Sequence, residues 1–148
     1  MATTTKRLFV VRRATAEDLH EVRRLEASMF VVRERMNGRD FGAAAWWVVE
    51  DEYGDLVGFA GAHLSRNGHT CVLDRSGVAV AARGNGLQRR LIEARVRWGR
   101  AQGATWASTY TAAHNYHSSN NLIACRFVLG RPFGEFLMWR RRIGPAVL

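Results

Sequence analysis

The spacing of hydrophobic and polar residues predicts strands and helices in a definite order along the chain. Residues 8–12 form a short apolar run that is typical of a strand. Apolar positions then recur every three or four residues through 16–29, which is the period of an amphipathic helix. Residues 30–40 carry a weaker pattern, which we interpret as a second short helix ended by Asn37 and Gly38.

Three predicted strands follow in the middle of the chain, at residues 44–50, 56–65 and 70–80. A short turn separates the first two strands. The pair Asn67-Gly68, a strong hairpin signal, separates the second from the third. Connections this short join antiparallel neighbours, so we expect a three-stranded antiparallel meander.

The second half begins with the best-patterned helix of the sequence. Its apolar residues share one helical face: Leu87, Leu91, Ala94, Trp98 and Ala101. Its arginines, which include Arg95, lie mostly off that face, so we interpret them as a solvated surface rather than a nucleic-acid stripe. We predict a strand at 105–111, a short helix at 118–125, and two final strands at 127–129 and 135–143 around a turn.

This order of elements predicts an α+β fold in the broad α/β class. We expect a mixed, mostly antiparallel central sheet of about six to seven strands, with helices on both faces. The strand at 105–111 follows a helical crossover and should therefore lie parallel to the strand at 70–80. A length of 148 residues suits a single domain spanning 1–148.

Charge and cysteine content narrow the partners and the compartment. The chain carries 22 Lys and Arg against 13 Asp and Glu, a net charge of +9, which favours an acidic or nucleic-acid-associated partner. The alternative is that the arginine content reflects a GC-rich coding sequence and has no functional meaning. Cys71 and Cys125 form no CxxC pair and sit among apolar neighbours, so we expect reduced core residues in a cytoplasmic protein. No signal peptide or membrane span is predicted.

The stretch from 78 to 88 is the main candidate for chemistry. It passes from an apolar strand through a turn with Gly84 and Gly86 into the arginine-rich helix. Backbone N–H groups of such a loop converge on an anion, and the helix end adds partial positive charge. A side chain at either glycine would obstruct a phosphate. These residues alone predict a phosphate-binding loop and leave a nucleotide-binding domain as an equal option.

With the element order, two segments resemble the GNAT superfamily of acyl-CoA-dependent N-acyltransferases. Residues 78–88, with Arg-Gly-Asn-Gly at 83–86, are similar to the family's acetyl-CoA motif. Residues 115–118, followed by Phe127, are similar to its Asn-x-x-Ala/Ser segment. The resemblance covers nearly the whole chain and implies acetyl-CoA as co-substrate, no metal, and fourth and fifth strands that splay apart.

The resemblance also implies roles for individual residues. The pantetheine arm would lie between the splayed strands, and the Val78 N–H would face the thioester carbonyl as oxyanion donor. The residues implied to bind acetyl-CoA are Val78, Ala79, Val80, Arg83, Gly84, Asn85, Gly86, Leu87, Gln88, Asn115, Ser118 and Asn121.

Asp74 is the best candidate for the general base. It precedes Val78 by four residues, and strand alternation would put both side chains on one face. A structural ion pair, for instance with Arg75, is the competing interpretation of this carboxylate. Glu50 and His63 are weaker candidates for the base.

The sequence departs from the family where a tyrosine often acts as general acid, because Leu122 occupies that place. Tyr116, His114 or His117 could replace the tyrosine, and solvent could also protonate the thiolate. Each of the three also has a simple surface or packing interpretation. We take Tyr116 as the candidate acid.

The function that we expect is N-acetyl transfer from acetyl-CoA to a primary amine by direct transfer in a ternary complex. The acceptor is open between a small molecule and a protein lysine or N-terminus. The alternative is a nucleic-acid-binding or regulatory module with this fold and no turnover. The final strand, with Phe136, Met138 and Trp139, could pair across a homodimer.

Overall fold

A computed structural model describes residues 7–29 and 38–145. The strands are β1 (Val10–Arg13), β2 (Ala45–Glu50), β3 (Leu56–Leu64), β4 (Thr70–Val78), β5 (Trp106–Ala112), β6 (Val128–Phe133) and β7 (Phe136–Arg142). The α-helices are α1 (Leu19–Met29), α2 (Gly38–Ala43), α3 (Leu87–Ala101) and α4 (Tyr116–Ala124). Short 3₁₀ turns cover Ala16–Asp18 and Val80–Ala82.

All seven strands form one sheet, in the order β1-β2-β3-β4-β5-β7-β6. Every neighbouring pair is antiparallel except β4 and β5, which are parallel because α3 crosses over between them. The predicted mixed, mostly antiparallel fold is therefore confirmed, as is the meander of β2, β3 and β4.

Two apolar layers hold the helices against opposite faces of the sheet. On one face, α1 and α2 pack on β2 and β3 through a small cluster: Val22, Phe41, Trp46, Val48 and Phe59. On the other face, α3 and α4 cover a larger cluster that includes Val49, Leu91, Val96, Ala107 and Leu122. Alternation along β2 divides neighbouring residues between the two layers, as expected for a strand with both faces buried.

A β-bulge interrupts the pairing of β3 with β4. Ala60 pairs with Ser76 and Ala62 with Leu73, so β4 has one extra residue in this interval. The bulge reverses the alternation of β4: Leu73 and Val78 both belong to the core under α3, although residues five apart normally face opposite sides.

The parallel contact between β4 and β5 is short. Only Thr70–Val72 of β4 pairs with Trp106–Ser108 of β5. Beyond this seam, the Thr109 hydroxyl donates to the Leu73 carbonyl at 3.1 Å, and the register then ends. The two strands therefore splay apart from Asp74 onward, as the family resemblance implies.

The last two strands differ from their predicted form. The predicted turn at 130–134 lies mostly within β6, which extends to Phe133 before a tight turn at Gly134. The idea that β7 pairs across a homodimer is wrong as stated, because β7 lies between β5 and β6 and both its edges are paired. The predicted helix end at Asn37 falls outside the described residues, and Gly38 begins α2.

Candidate active site

The loop before α3 presents a row of backbone donors. Gly84 and Gly86 have φ values of +80° and +70°, a left-handed conformation that glycine adopts without strain. In the described part of the chain, the backbone N–H groups of residues 84–89 donate to no acceptor within the protein. The next N–H, that of Arg90, donates to the Gly86 carbonyl at 3.1 Å and starts the helix ladder. Six consecutive free donors at a helix N-terminus form a suitable site for an anion.

Side chains of the loop hold its shape. Asn85 Nδ2 donates to the carbonyls of Ala82 at 2.8 Å and of Arg83 at 3.2 Å. Arg83 Nε donates to the Val78 carbonyl at 3.4 Å. The Asn85 side chain is therefore turned onto its own loop, and what it leaves for a ligand is its backbone N–H.

A cleft of about 510 Å³ follows the gap between β4 and β5. Four of the residues predicted to bind acetyl-CoA line it: Gln88, Asn115, Ser118 and Asn121. The far wall is formed by β5, through Thr109, Tyr110, Thr111 and Ala112. Gln88 stands in the first turn of α3, so the cleft reaches the row of free N–H groups.

The polar residues of α4 have structural partners as well as a place on the cleft. The Asn115 carboxamide oxygen accepts from the Ser118 N–H at 3.2 Å, so Asn115 is the N-cap of α4. Asn121 Oδ1 accepts from Arg89 Nε at 3.1 Å and ties α4 to α3. These contacts fix the wall of the cleft that faces β4.

Val78 presents its N–H to the gap. The neighbouring Ala79 N–H donates to the Val57 carbonyl on β3 at 2.8 Å. Backbone donors alternate in direction along an antiparallel edge, so the Val78 N–H points away from β3 and toward the splayed side. The Val78 side chain is buried in the core under α3.

Asp74 does not share a face with Val78, because the bulge at Asp74 and Arg75 reverses the alternation between them. The prediction from strand alternation is wrong on this point. The expected Asp74–Arg75 ion pair is also replaced: Arg75 Nη1 lies 3.1 Å from Glu26 Oε2, and Asp74 Oδ2 lies 2.7 Å from His63 Nδ1.

A second cavity of about 870 Å³, which we call the α2 groove, lies beside α2 and extends to Trp98 of α3. Its lining includes Arg13, Trp46, His63, Asp74, Arg75 and Trp98. Asp74 and Arg75 line both the α2 groove and the β4–β5 cleft, so the two cavities adjoin at the bulge.

The structure does not bring Tyr116 to the cleft. Tyr116 is the first residue of α4 and its side chain is 74% exposed. All three tyrosines of the sequence lie in the described ranges, and the one that lines the cleft is Tyr110 on β5. Leu122, in the place where the family often has a tyrosine, is buried and also lines the cleft.

Arg95 is buried rather than solvated, contrary to the surface predicted for the arginines of α3. It is 2% exposed and lies under the bulge, where Nη1 donates to the carbonyls of Gly61 at 3.2 Å and of Asp74 at 3.3 Å. Burial lowers the pKa of Arg95 to about 10, so the guanidinium remains charged at neutral pH.

Both cysteines are free and buried, as predicted. Burial raises the pKa of the Cys71 thiol to about 11 and also raises that of Cys125. A thiol that stays protonated at neutral pH is a poor nucleophile. Neither cysteine is therefore prepared for a covalent acyl step.

Within residues 7–29 and 38–145, no helix is long and apolar enough to cross a membrane. No group of three or more His, Cys, Asp or Glu side chains within the same ranges could hold a metal ion.

Sequence comparison identifies the family. The model of the Acetyltransferase (GNAT) family matches residues 12–124, a span that includes the loop, the bulge and the whole of α4. The chain therefore belongs to the GNAT acetyltransferase family. Comparison with curated proteins gives no significant match.

Solved structures share the fold at low sequence identity. The ribosomal-protein-S18-alanine N-acetyltransferase from Escherichia coli has a TM-score of 0.78 and 14% identity, over 95% of this chain and 97% of that chain. Spermidine N-acetyltransferase from Vibrio cholerae, a dodecamer, has a TM-score of 0.73 and 15% identity, over 90% and 93%. A Salmonella typhimurium protein determined with its cofactor acetyl-CoA has a TM-score of 0.73 and 16% identity, over 91% and 94%.

Proposed function

We propose that this protein transfers an acetyl group from acetyl-CoA to a primary amine, directly and within a ternary complex. The observation that carries the proposal is the row of free N–H groups at 84–89, placed where the β4–β5 cleft ends. The row suits a diphosphate. The unpaired edge of β4 suits an extended chain that adds to the sheet. Acetyl-CoA has both parts in one molecule.

The residues divide between holding and polarising this co-substrate. Backbone groups of Ala79, Val80 and Arg83 through Gln88 would hold the diphosphate and the adjoining arm, with Asn115, Ser118 and Asn121 on the opposite wall. The Val78 N–H would donate to the arm from the open edge of β4. The thioester would lie four residues earlier on this strand, at the bulge where the two cavities adjoin, with N–H groups of the open edge facing the oxygen on which negative charge develops during attack. The fold-level match to a protein that binds acetyl-CoA supports this assignment.

Direct transfer is supported by the two adjoining cavities. The cleft would hold the thioester, and the α2 groove would hold the amine on the other side of the bulge. The buried cysteines, whose pKa values are raised, offer no activated nucleophile for an acyl-enzyme route. Positioning two reactants in this way supplies much of the rate enhancement without a covalent step.

The proton for the departing thiolate would come from Tyr110 or from solvent. Tyr110 lines the cleft, whereas Tyr116, the candidate from the sequence, is exposed to solvent, which favours Tyr110. Free thiols at both cysteines agree with a reducing compartment, and we propose that the protein works in the cytoplasm.

Binding of acetyl-CoA can be tested with a matched pair of glycine variants. In Gly86→Val the new side chain would stand among the free N–H groups, and we expect affinity for acetyl-CoA to fall at least about tenfold, equivalent to about 1.4 kcal/mol. Calorimetric titration with acetyl-CoA and with CoA measures the affinity.

Gly68→Val is the control for backbone strain. Gly68 has φ +76°, close to the +70° of Gly86, and a Cβ at either position meets no atom within 4 Å. Each variant therefore carries a similar left-handed penalty of roughly 1–2 kcal/mol. Unchanged binding by Gly86→Val, or equal losses in both variants, would place the site elsewhere. Absence of acetyl-CoA binding by the folded wild type would overturn the proposed function.

The acceptor can then be sought by following release of free thiol from acetyl-CoA. The structural neighbours named above suggest spermidine and a peptide with an N-terminal alanine as first amines, together with lysine-containing peptides. A homo-oligomer also remains a proposal, which the dodecameric neighbour motivates.

A second candidate function is binding of an anionic polymer. A cavity of about 520 Å³, which we call the arginine groove, is lined by five arginines and by no carboxylate: Arg100, Arg126, Arg140, Arg141 and Arg142. Arg140 and Arg142 lie over the Trp106 ring, 5.0 and 5.5 Å from its centroid. Arg141 is buried and paired with Glu93 Oε1 at 2.8 Å, so the exposed arginines of the groove are the ones suited to phosphates of a nucleic-acid-associated partner: Arg100, Arg126, Arg140 and Arg142.

A further inference from the structure

His63 and Asp74 form a hydrogen-bonded pair where the two cavities adjoin. His63 lies on β3 and Asp74 on β4, and the distance from Nδ1 to Oδ2 is 2.7 Å. The hairpin register makes this contact possible, because His63 pairs with Val72 and Asp74 is then its diagonal neighbour on the same face of the sheet. The pair stands at the α2 groove, with Asp74 reaching the β4–β5 cleft as well.

The chemistry of the two groups fixes the direction of the hydrogen bond. An ionised carboxylate can only accept, so the proton of the bond must be carried by Nδ1. A neutral imidazole that carries its proton on Nδ1 has a lone pair on Nε2. The His63 side chain is 44% exposed and lines the α2 groove. Its basic nitrogen is therefore accessible from that groove.

The other charged groups around His63 leave Asp74 as its direct partner. Arg13 from β1 and Arg75 from β4 line the same groove, and Glu26 from α1 binds Arg75 at 3.1 Å. The residue of α3 that lines the groove carries no charge. The same holds for the α2 residues that line it and whose side chains are described.

We infer that His63 is the general base for the acceptor amine and that Asp74 is its positioning residue. This inference rests on the proposed function, since it assigns the α2 groove to the amine. It moves the base from Asp74, whose Oδ2 is engaged by the imidazole, to the ring that Asp74 orients. His63 was among the weaker candidates in the sequence.

The transfer step balances with this assignment. The amine nitrogen forms a bond to the acetyl carbon, and the bond between that carbon and sulfur breaks with its electron pair on sulfur. One N–H proton of the amine passes to His63 Nε2, which becomes part of an imidazolium paired with Asp74. The thiolate takes a proton from Tyr110 or solvent. The imidazolium returns its proton to water.

The tautomer of His63 can be measured without knowing the acceptor. In the full-length protein labelled with ¹⁵N-histidine, long-range ¹H–¹⁵N correlation at pH 8 should show His63 protonated at Nδ1 and unprotonated at Nε2. In Asp74→Asn this preference should be lost, because an amide can serve either as donor or as acceptor. A proton on Nε2 in the wild type, or an unchanged tautomer in Asp74→Asn, would overturn the inference.

The pH dependence of turnover tests the base directly. With acetyl-CoA and the fastest amine of the panel above, kcat/KM of the wild type should fall between pH 8 and pH 5, because a protonated imidazole cannot accept a proton. His63→Gln should lose roughly 10²- to 10⁴-fold in kcat and show no such fall. His69→Gln, at an exposed histidine in the same hairpin, should match the wild type.

Failure of the inference and failure of the proposed function give different experimental results. Acetyl-CoA binding by calorimetry should be equal in His63→Gln, His69→Gln and the wild type. If His63→Gln keeps both the rate and the acid limb, His63 is not the base while acetyl transfer stands. If the wild type binds acetyl-CoA but acetylates no amine, the proposed function fails, and the tautomer experiment still decides whether Asp74 orients His63.

Discussion

At the scale of single residues, Tyr110 occupies a position that the sequence pattern assigned to other side chains. Its strand forms the far wall of the cleft, and its side chain is half exposed there. Family resemblance directed attention to Leu122 and its sequence neighbours, because a motif is defined along the chain. The phenol that reaches the cleft comes instead from β5, so it cannot be located by spacing from Asn115.

Replacing each tyrosine by phenylalanine separates the two candidates. We expect Tyr110→Phe to lower kcat by about 10- to 100-fold, toward the lower end of general-acid contributions, with little effect on acetyl-CoA affinity. Tyr116→Phe is the matched control and should keep wild-type kcat. Steady-state turnover with acetyl-CoA and one amine measures both. Equal rates for Tyr110→Phe and the wild type would leave protonation to solvent.

Some site residues were predictable one by one. Asn115 and Ser118 carry a local motif, and both lie on the cleft. The contact between His63 and Asp74 links two strands and depends on register. A signal for it exists: the Asn67-Gly68 turn sets the hairpin, in which His63 pairs with Val72 and Asp74 is therefore the diagonal neighbour.

At the scale of elements, the bulge in β4 determines which groups face which cavity. Arg95 supports it from below by donating to the carbonyls of Gly61 and Asp74, where the pairing of β3 with β4 is interrupted. A guanidinium is suited to this position because one nitrogen can serve two acceptors. The helix α3 thus contributes to the site through the shape of β4 as well as through its N-terminus.

Arg95→Met should destabilise the protein. Methionine keeps the apolar stem but leaves two buried carbonyls without donors, and we expect a loss of about 2 kcal/mol in the free energy of unfolding. The variant also no longer buries a charged group. The expected loss of stability is therefore smaller than the sum of two lost hydrogen bonds. Arg97→Met, on the exposed side of α3, should change the same quantity by less than about 0.5 kcal/mol. Denaturant unfolding compares them, and equal effects would show that Arg95 does not support the bulge.

The order and type of the elements followed from hydrophobic period, and the described structure confirms them through α4. The bulge could not be predicted in this way. Asp74 and Arg75 are both polar, so the extra residue does not change the alternation of apolar positions along the strand. Arg95 was misplaced for a related reason: a helix that packs under a defect in the sheet can bury a charge on its apolar side. The turn predicted at 130–134 rested on Gly130 and Pro132, which resemble turn residues, yet residues 130–133 belong to β6, and an edge strand tolerates proline.

At the scale of the whole molecule, the net charge of +9 is not spread evenly. The arginine groove contains no carboxylate, and two of its guanidiniums are held over Trp106. It lies near the start of β5, whereas the free N–H row of the loop adjoins the opposite, splayed end of β4. A polyanion could therefore be bound without obstructing the cleft.

The salt dependence of nucleic-acid binding tests this surface. For a fluorescently labelled single-stranded RNA, the double variant Arg140→Ser with Arg142→Ser should reduce the slope of log K against log salt by about 1.4, since each lost contact removes about 0.7. Arg23→Ser with Arg66→Ser changes the net charge equally at exposed positions elsewhere and should leave the slope unchanged. Equal reductions would assign the binding to net charge alone.

The short seam between β4 and β5 has a mechanical consequence. In the described structure, the β1–β4 half is joined to the β5–β7 half by three residue pairs, by the Thr109 hydroxyl, and by the Thr105 and Trp106 N–H groups, which donate to the His69 carbonyl. A co-substrate that pairs with the open edge of β4 would act as a temporary strand and stiffen the joint between the halves. Arrival of the co-substrate and departure of the product would then be changes in the rigidity of the sheet itself, and the pace of each catalytic cycle would be tied to how readily the two halves flex about the seam.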